Sequence, residues 1–219
     1  MLKDSKEIEI ISNARQVQVR NPERSRKHFE DIFNDFLSGI DLEKKLLLDL
    51  GPGQFDFAEI VRPKGGIVHS IDNDPAVIEL GEYKGLNVRL DNLKKLPKIK
   101  YDFKFDAVFC KYSINAFWFH DNDAKHTEYV ESINNLMKAD GFAWIAPWNG
   151  VPKKAQLSDR EIQRVLDLQA DLFRDFGFTG INLTKKLTTR YGIHGITANQ
   201  ALFFRNLDTP KGITTCEKI

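Results

Sequence analysis

Cysteine is nearly absent from this sequence. Cys110 and Cys216 stand far apart and in no C-x-x-C pairing, which argues against a disulfide framework and against a structural zinc site. Long apolar runs are missing as well. No stretch approaches the roughly 20 residues that cross a bilayer. The first residues, MLKDSKEIEI, carry charges where a secretory leader needs an apolar run. Net charge is almost nil, with 32 Lys and Arg against 31 Asp and Glu, so nothing draws the whole chain toward nucleic acid or an anionic membrane. No internal repeat, low-complexity tract or Pro/Gly/Ser linker divides the chain. These absences lead us to expect one domain in a reducing cytoplasm, with a small molecule as partner and neither membrane nor nucleic acid.

What is present is a large apolar complement. Of 219 residues, 42% are hydrophobic, with 16 Phe and 3 Trp, enough to bury a substantial core. Residues 7–19 alternate loosely through Ile8, Ile10, Val17 and Val19, as an edge strand or arm does. Asn21-Pro22 offers an N-cap followed by Pro at the first helical position. Phe29, Ile32, Phe33, Phe36, Leu37 and Ile40 follow at helical spacing, with Gly39 as terminator.

The short run LLLDL (46–50) closes on Gly51-Pro52-Gly53. A near-continuous apolar strand suits a parallel sheet covered on both faces. A helix over 55–61 follows, stopped near Pro63. GIVHSID (66–72) is a second strand, and Asp74-Pro75 caps the next helix. Val88–Leu90 and Phe105–Tyr112 are strands three and four. A helix carrying Tyr129, Val130, Ile133, Leu136 and Met137 ends at Gly141, and Phe142–Ala146 is strand five. Ser158 with Glu161 forms a capping box that opens a helix ended by Gly177. Strand-like runs near 178–187 and 200–206 close the domain. They have no helical pattern between them, so this pair is expected to be antiparallel. The alternation predicts a doubly wound α/β fold with helices on both faces: a mostly parallel seven-stranded sheet with an antiparallel last strand. The expected organisation is an arm over 1–20, a domain over 21–206 and a tail over 207–219.

The chemistry gathers at strand ends. Asp49-Leu50-Gly51-Pro52-Gly53 sits between the first strand and its helix, where open α/β sheets bind ligands and glycines admit close backbone approach. Asp72 ends the second strand, where a carboxylate can accept from both hydroxyls of a ribose. Together they make an adenosine site. A dinucleotide fingerprint would carry a third glycine where this chain has Asp56, and no Gly-Lys-Ser/Thr follows to make a phosphate loop.

At this point the sequence resembles the class I, Rossmann-like S-adenosylmethionine-dependent methyltransferases. The matching pieces are LLLDLGPGQ (47–54), HSIDNDP (69–75), VRLDNLKKLP (88–97), FDAVFCKYSIN (105–115) and the two closing strands, which together cover about residues 21–206. The resemblance implies that S-adenosylmethionine is the cofactor. It implies that Asp49, Gly51, Pro52 and Gly53 pass its methionine part, Asp72 and Asn73 its ribose, and Asp91 and Asn92 its adenine. Lys111 to Asn115 would border the methyl group.

Elsewhere, each candidate has a plainer alternative. Asp74 suits an N-cap better than a ribose contact. The polar run His120 to His126 reads as a solvated helix entry and gives no metal site. Ala146-Pro147-Trp148-Asn149 follows strand five, where the Pro–aromatic motif of DNA amino-methyltransferases does not belong. Phe117, Trp118, Phe119 and Trp148 cluster at the ends of strands four and five, a ligand-facing edge. Asn115, Trp118, Trp148 and Tyr191 are therefore candidate acceptor contacts. Lys111, Tyr112 and His194 are candidate bases, should the acceptor need to lose a proton. The expected reaction is methyl transfer to an O or N atom of a small-molecule or sugar-type acceptor. RNA or protein methylation, and a non-catalytic binding module, are the alternatives. The arm is expected to act as a lid, because methyl transfer must exclude water.

Overall fold

A computed structural model describes residues 4–20, 26–114, 123–148, 158–193 and 201–210. The elements in order are α1 (Ser5–Ser12), α2 (Val17–Arg20), α3 (Lys27–Ile32, continued as a π-helical turn over Phe33–Leu37), β1 (Leu46–Leu50), α4 (Asp56–Val61), β2 (Ile67–Asp72), α5 (Pro75–Tyr83), β3 (Asn87–Leu90), a 3-10 segment (Leu93–Lys98), β4 (Phe105–Lys111), α6 (Asp123–Leu136), β5 (Met137–Trp148), α7 (Asp159–Asp175), β6 (Thr179–Asn182), α8 (Lys185–Arg190) and β7 (Ala201–Arg205).

The strands form one seven-stranded sheet in the order β3-β2-β1-β4-β5-β7-β6. The first five run parallel, and β7 is antiparallel to both its neighbours. The expected sheet is therefore the observed one. β1 is apolar on both sides because both sides are covered: Leu47 faces one core and Leu48 and Leu50 the other. The first core holds α1, α3, α4 and α5, with Phe57, Phe109 and Trp144 stacked in series at 4.0 and 4.9 Å between ring centroids. The second holds α6 and α7, with Phe173 stacked on Phe203 at 3.8 Å.

Three expectations need correction. The arm is helical rather than extended: Asp4 caps α1 by accepting from the Glu7 amide at 2.8 Å, and Ile10 and Ile11 are buried. Two adjacent buried residues fit a helix face and defeat an alternating strand. Gly141 does not end a helix; α6 gives way directly to β5 at Met137, and Gly141 lies inside the strand. A helix, α8, does lie between the last two strands. Thr184 caps it, but its six residues bury only Leu187, too few to carry a period.

The arm lies against α5 and the loop after β1. Tyr83 Oη donates to Asp4 Oδ2 at 2.9 Å, Lys84 Nζ pairs with Glu7 and Glu59, and Gln54 Nε2 donates to the Val19 carbonyl. The Arg15 amide donates to Asp74 Oδ2 at 2.6 Å, while Asp74 Oδ1 accepts from the Ala76 amide at 3.1 Å and caps α5. One buried carboxylate thus holds a helix start and the arm together. Asp74→Ala is expected to lower the unfolding free energy by about 1–2 kcal/mol, the cost of a lost cap. An unchanged urea midpoint would refute the assignment.

Candidate active site

The strand order places a switch point between β1 and β4, because the chain leaves β1 toward β2 and β3 and then returns to the other side. Gly51 tops β1 there. Its φ is +77°, its amide donates to the Ile71 carbonyl at 2.9 Å, and a Cβ on it would lie 1.8 Å from Ser113 Oγ. Ser113, in the loop after β4, donates to the Gly51 carbonyl at 3.0 Å. Gly53 also has positive φ, and Phe55 takes the left-handed conformation just before α4 begins. The turn after β1 therefore has glycine on either side of Pro52 and is held by β2 through the Gly51 amide and by the β4 loop through Ser113.

Four of the expected side chains share one face of the sheet. Asp49, Asp72 and Lys111 occupy alternating positions on the face of the first core, with Tyr112 packed beside them. Asp49, Asp72 and Lys111 are each under 10% exposed. Lys111 Nζ sits 4.3 Å from the centre of the Phe29 ring, a cation over an aromatic face. Tyr112 turns the chain out of β4 with φ +71°, its amide donating to the Ala146 carbonyl at 3.0 Å.

Asp72 Oδ1 accepts from the Asp74 amide at 2.9 Å. Burial is the strongest influence on its carboxyl and raises it above the usual carboxylate range; the Asp74 and Asn73 amides oppose the rise and the Asp74 charge adds to it. At the end of β3, Asp91 Oδ2 pairs with Arg89 Nη2 at 2.8 Å, and its Oδ1 accepts from the Asn92 amide. The Asn92 side chain caps the 3-10 segment through the Lys94 amide at 2.9 Å.

Two expected residues lie deeper. Trp148 is fully buried, edge-on to Phe173 at 4.8 Å. A register shift between Ile145 and Trp148 turns it to the face opposite Trp144. Tyr191 is also fully buried; its hydroxyl donates to Asp35 Oδ2 at 2.9 Å, which Arg190 grips from the other side at 2.6 and 2.7 Å. That carboxylate and the shared proton, together with burial as the leading cause, hold the Tyr191 phenol well above its ordinary range. Asn115, Trp118 and His194 lie outside the described residues, as do Phe117, Phe119 and His120. Among the described residues no cluster of His, Cys, Asp or Glu could hold a metal, and no helix is long and apolar enough to cross a membrane. Cys110 is buried in β4 and its thiol is pushed up to about 12 by that burial, which leaves it inert as a nucleophile.

Sequence patterns alone did not single out Ser113 or Gln54. Neither carries a periodic signal, and the side chain of each donates to a backbone carbonyl that only the fold brings close.

No protein-family model matches the chain, and no curated protein matches it. Solved structures do. Magnesium protoporphyrin IX methyltransferase from Synechocystis PCC 6803 with bound SAH aligns at a TM-score of 0.53 and 14% identity, over 91% of this chain and 92% of that one. A putative sarcosine dimethylglycine methyltransferase from Galdieria sulphuraria gives 0.52 and 16%, over 84% and 86%. The fibrillarin pre-rRNA processing protein of Methanococcus jannaschii gives 0.50 and 14%, over 84% and 75%. The chain spans about half the length of two further matches, 54% of DesVI from Streptomyces venezuelae and 53% of the sugar N-methyltransferase KedS8 from Streptoalloteichus. The fold is thus the Rossmann-like fold of S-adenosylmethionine-dependent methyltransferases.

The Asp72 carboxyl has a higher pKa folded than unfolded, so its ionised form works against the fold. That penalty is absent below the ordinary value of 3.8 and grows as pH rises through the folded pKa. Asp72→Asn is therefore expected to unfold at a higher urea concentration than the parent at pH 7, with the gap closing as the pH falls toward 4. A gap that widens on acidification would contradict this.

Proposed function

We propose that this protein transfers the methyl group of S-adenosylmethionine to an O or N atom of a small-molecule acceptor. The observation that carries the proposal is the position of buried Asp72 at the end of β2, beside the Gly51-Pro52-Gly53 turn at the switch point. The residues present suit the cofactor. A carboxylate kept from water at a cost matches a ligand that brings two hydroxyl donors to it. A turn with glycine on either side of Pro52 admits the methionine portion closely, and the Lys111 ammonium suits that portion's carboxylate. Asp91 and Asn92 flank the place where the adenine would lie. When bound, the cofactor supplies a sulfonium methyl, already a strong electrophile.

The chain's own residues then have three tasks: to hold the nucleoside, to orient the acceptor behind the methyl, and to exclude water. Asp72 serves the first, while Gly51 and Gly53 pass the methionine portion. Tyr112, set by its turn at the carboxyl end of β4, serves the second and is a candidate to take a proton where the acceptor has one to lose. Tyr191 suits that role poorly, since its phenol is buried and already committed to Asp35. The arm, fastened to Gln54 and Asp74, contributes to the third on the nucleoside side. The near-zero net charge favours a small acceptor over RNA.

S-adenosylhomocysteine is expected to raise the melting temperature, and NADH to leave it unchanged. Asp72→Ala is expected to weaken S-adenosylhomocysteine binding by roughly 1.5–3 kcal/mol, the range for hydrogen bonds to a charged group. Gly51→Ala, forced against Ser113, is expected to abolish detectable binding in calorimetry. Stabilisation by NADH with no response to S-adenosylhomocysteine would overturn the proposal.

A further inference from the structure

Buried carboxamides are ordinarily hydrogen-bonded at both ends, because each unpaired atom bears its full desolvation penalty. Gln169 is 4% exposed, yet neither Oε1 nor Nε2 has a hydrogen-bond partner among the described residues. Its position gives that vacancy a direction. Gln169 lies on α7 one turn before Phe173, on the same side of the helix. Phe173 meets the Trp148 ring, and Trp148 faces the buried His126 ring of α6 at 6.0 Å. α7 joins β5 to β6, which runs parallel to it, so α7 runs the opposite way and Gln169 is nearer than Phe173 to the carboxyl edge of the sheet. Gln169 therefore lies on the α7 side that meets Trp148, toward the carboxyl ends of β4 and β5, in the core that also holds Ile114 and on the face opposite Asp72 and Lys111.

We propose that Gln169 is an acceptor-binding residue, and that the ligand it takes is a neutral, flat ring with adjacent N–H and C=O groups, a lactam edge. The proposal rests on the methyl-transfer reading for the word acceptor, not for the site itself. A primary amide offers one acceptor and one donor side by side in a plane. A single ligand satisfies both by closing a ring of two hydrogen bonds, which needs a neighbouring donor and acceptor of its own. The rings of Trp148 and His126 favour a flat partner. No Asp, Glu, Lys or Arg stands among Ile114, His126, Trp148, Gln169 and Phe173, so a charged ligand would be buried there without a counter-charge from them.

The test uses the full chain saturated with S-adenosylhomocysteine and two probes, 2-pyridone, which has the lactam edge, and 2-methoxypyridine, which lacks the N–H. Ligand-observed NMR titration should show 2-pyridone binding at least tenfold more tightly. Gln169→Leu should bind the two alike, and its melting temperature without ligand should be unchanged or raised, because leucine removes an unpaired amide. Gln169→Met, of similar length, repeats the test should the leucine variant fold poorly. The proposal falls if the parent binds neither probe or both equally, if either variant keeps the preference, or if both variants melt well below the parent, since the amide would then have a partner within the protein. The same edge occurs in uracil, so a short oligouridylate that binds more tightly than 2-pyridone and loosens with salt would also overturn it. The probe contrast repeated without S-adenosylhomocysteine separates a failure of this site from a failure of the methyl-transfer reading.

Discussion

Everything at the functional end of this molecule depends on the approach of Ser113 to Gly51. Two crossover paths diverge at this point, one from β1 toward β2 and one that returns to β4, and such a divergence opens a crevice. A crevice binds a ligand well only if its walls are fixed beforehand. Here the fixing is done at the backbone. The Gly51 amide is spent on β2, its carbonyl on Ser113, and the space for its Cβ is taken by the same serine. Three strand ends are thereby locked together without any long side chain entering the crevice. Any side chain at position 51 would have to push the β4 loop away, and Tyr112, already in a left-handed conformation, belongs to that loop.

The two faces of the sheet divide the remaining work. The face of the first core carries Asp49, Asp72 and Lys111, all three buried and toward the carboxyl ends of their strands. The face of the second core is built largely from rings at β4 and β5, with the Arg89–Asp91 pair at the end of β3. What separates them is the irregularity in β5. Strict alternation from Trp144 through Ala146 would bring Trp148 to the first face; the register shift delivers it to α7 instead. The same strand therefore anchors the aromatic stack under α3 and the aromatic cluster under α7.

Much of this was legible in the sequence, for reasons that differ by element. β1 was legible because a strand covered on both sides must be apolar throughout, and LLLDL before a glycine turn has few other readings. Asp74-Pro75 and Ser158 with Glu161 were legible because caps are local chemistry, and both form as expected. Asp72 was distinguishable from Asp74 on the same ground. The arm was misread because Ile8, Ile10, Val17 and Val19 happen to fall at even spacing, while the helix is secured by distant partners: Tyr83, Lys84 and Asp74. α8 is too short to carry a period, and it is held by the Arg190–Asp35 pair across the fold. Trp148 could be placed at the right edge but not on the right face, since a register shift leaves no mark in the pattern of apolar residues.

The placement of the arm bears on how such a site is closed. Its fasteners, Gln54 and Asp74, each stand one or two residues beyond a residue proposed for the cofactor, Gly53 in one case and Asp72 in the other. A displacement of either loop must therefore disturb the arm's hydrogen bonds, and loss of the arm must free two buried polar side chains that would then need water. The coupling is reciprocal, as any coupling between two binding events is. On the proposed reading, the arm belongs energetically to the cofactor half of the crevice. On the same proposed reading, an acceptor over β4 and β5 has to be enclosed by chain from its own side, where α7 carries the unpaired amide of Gln169. Such an arrangement can keep Asp49, Asp72 and Lys111 constant while the other half is altered, because these three lie on the face opposite Gln169.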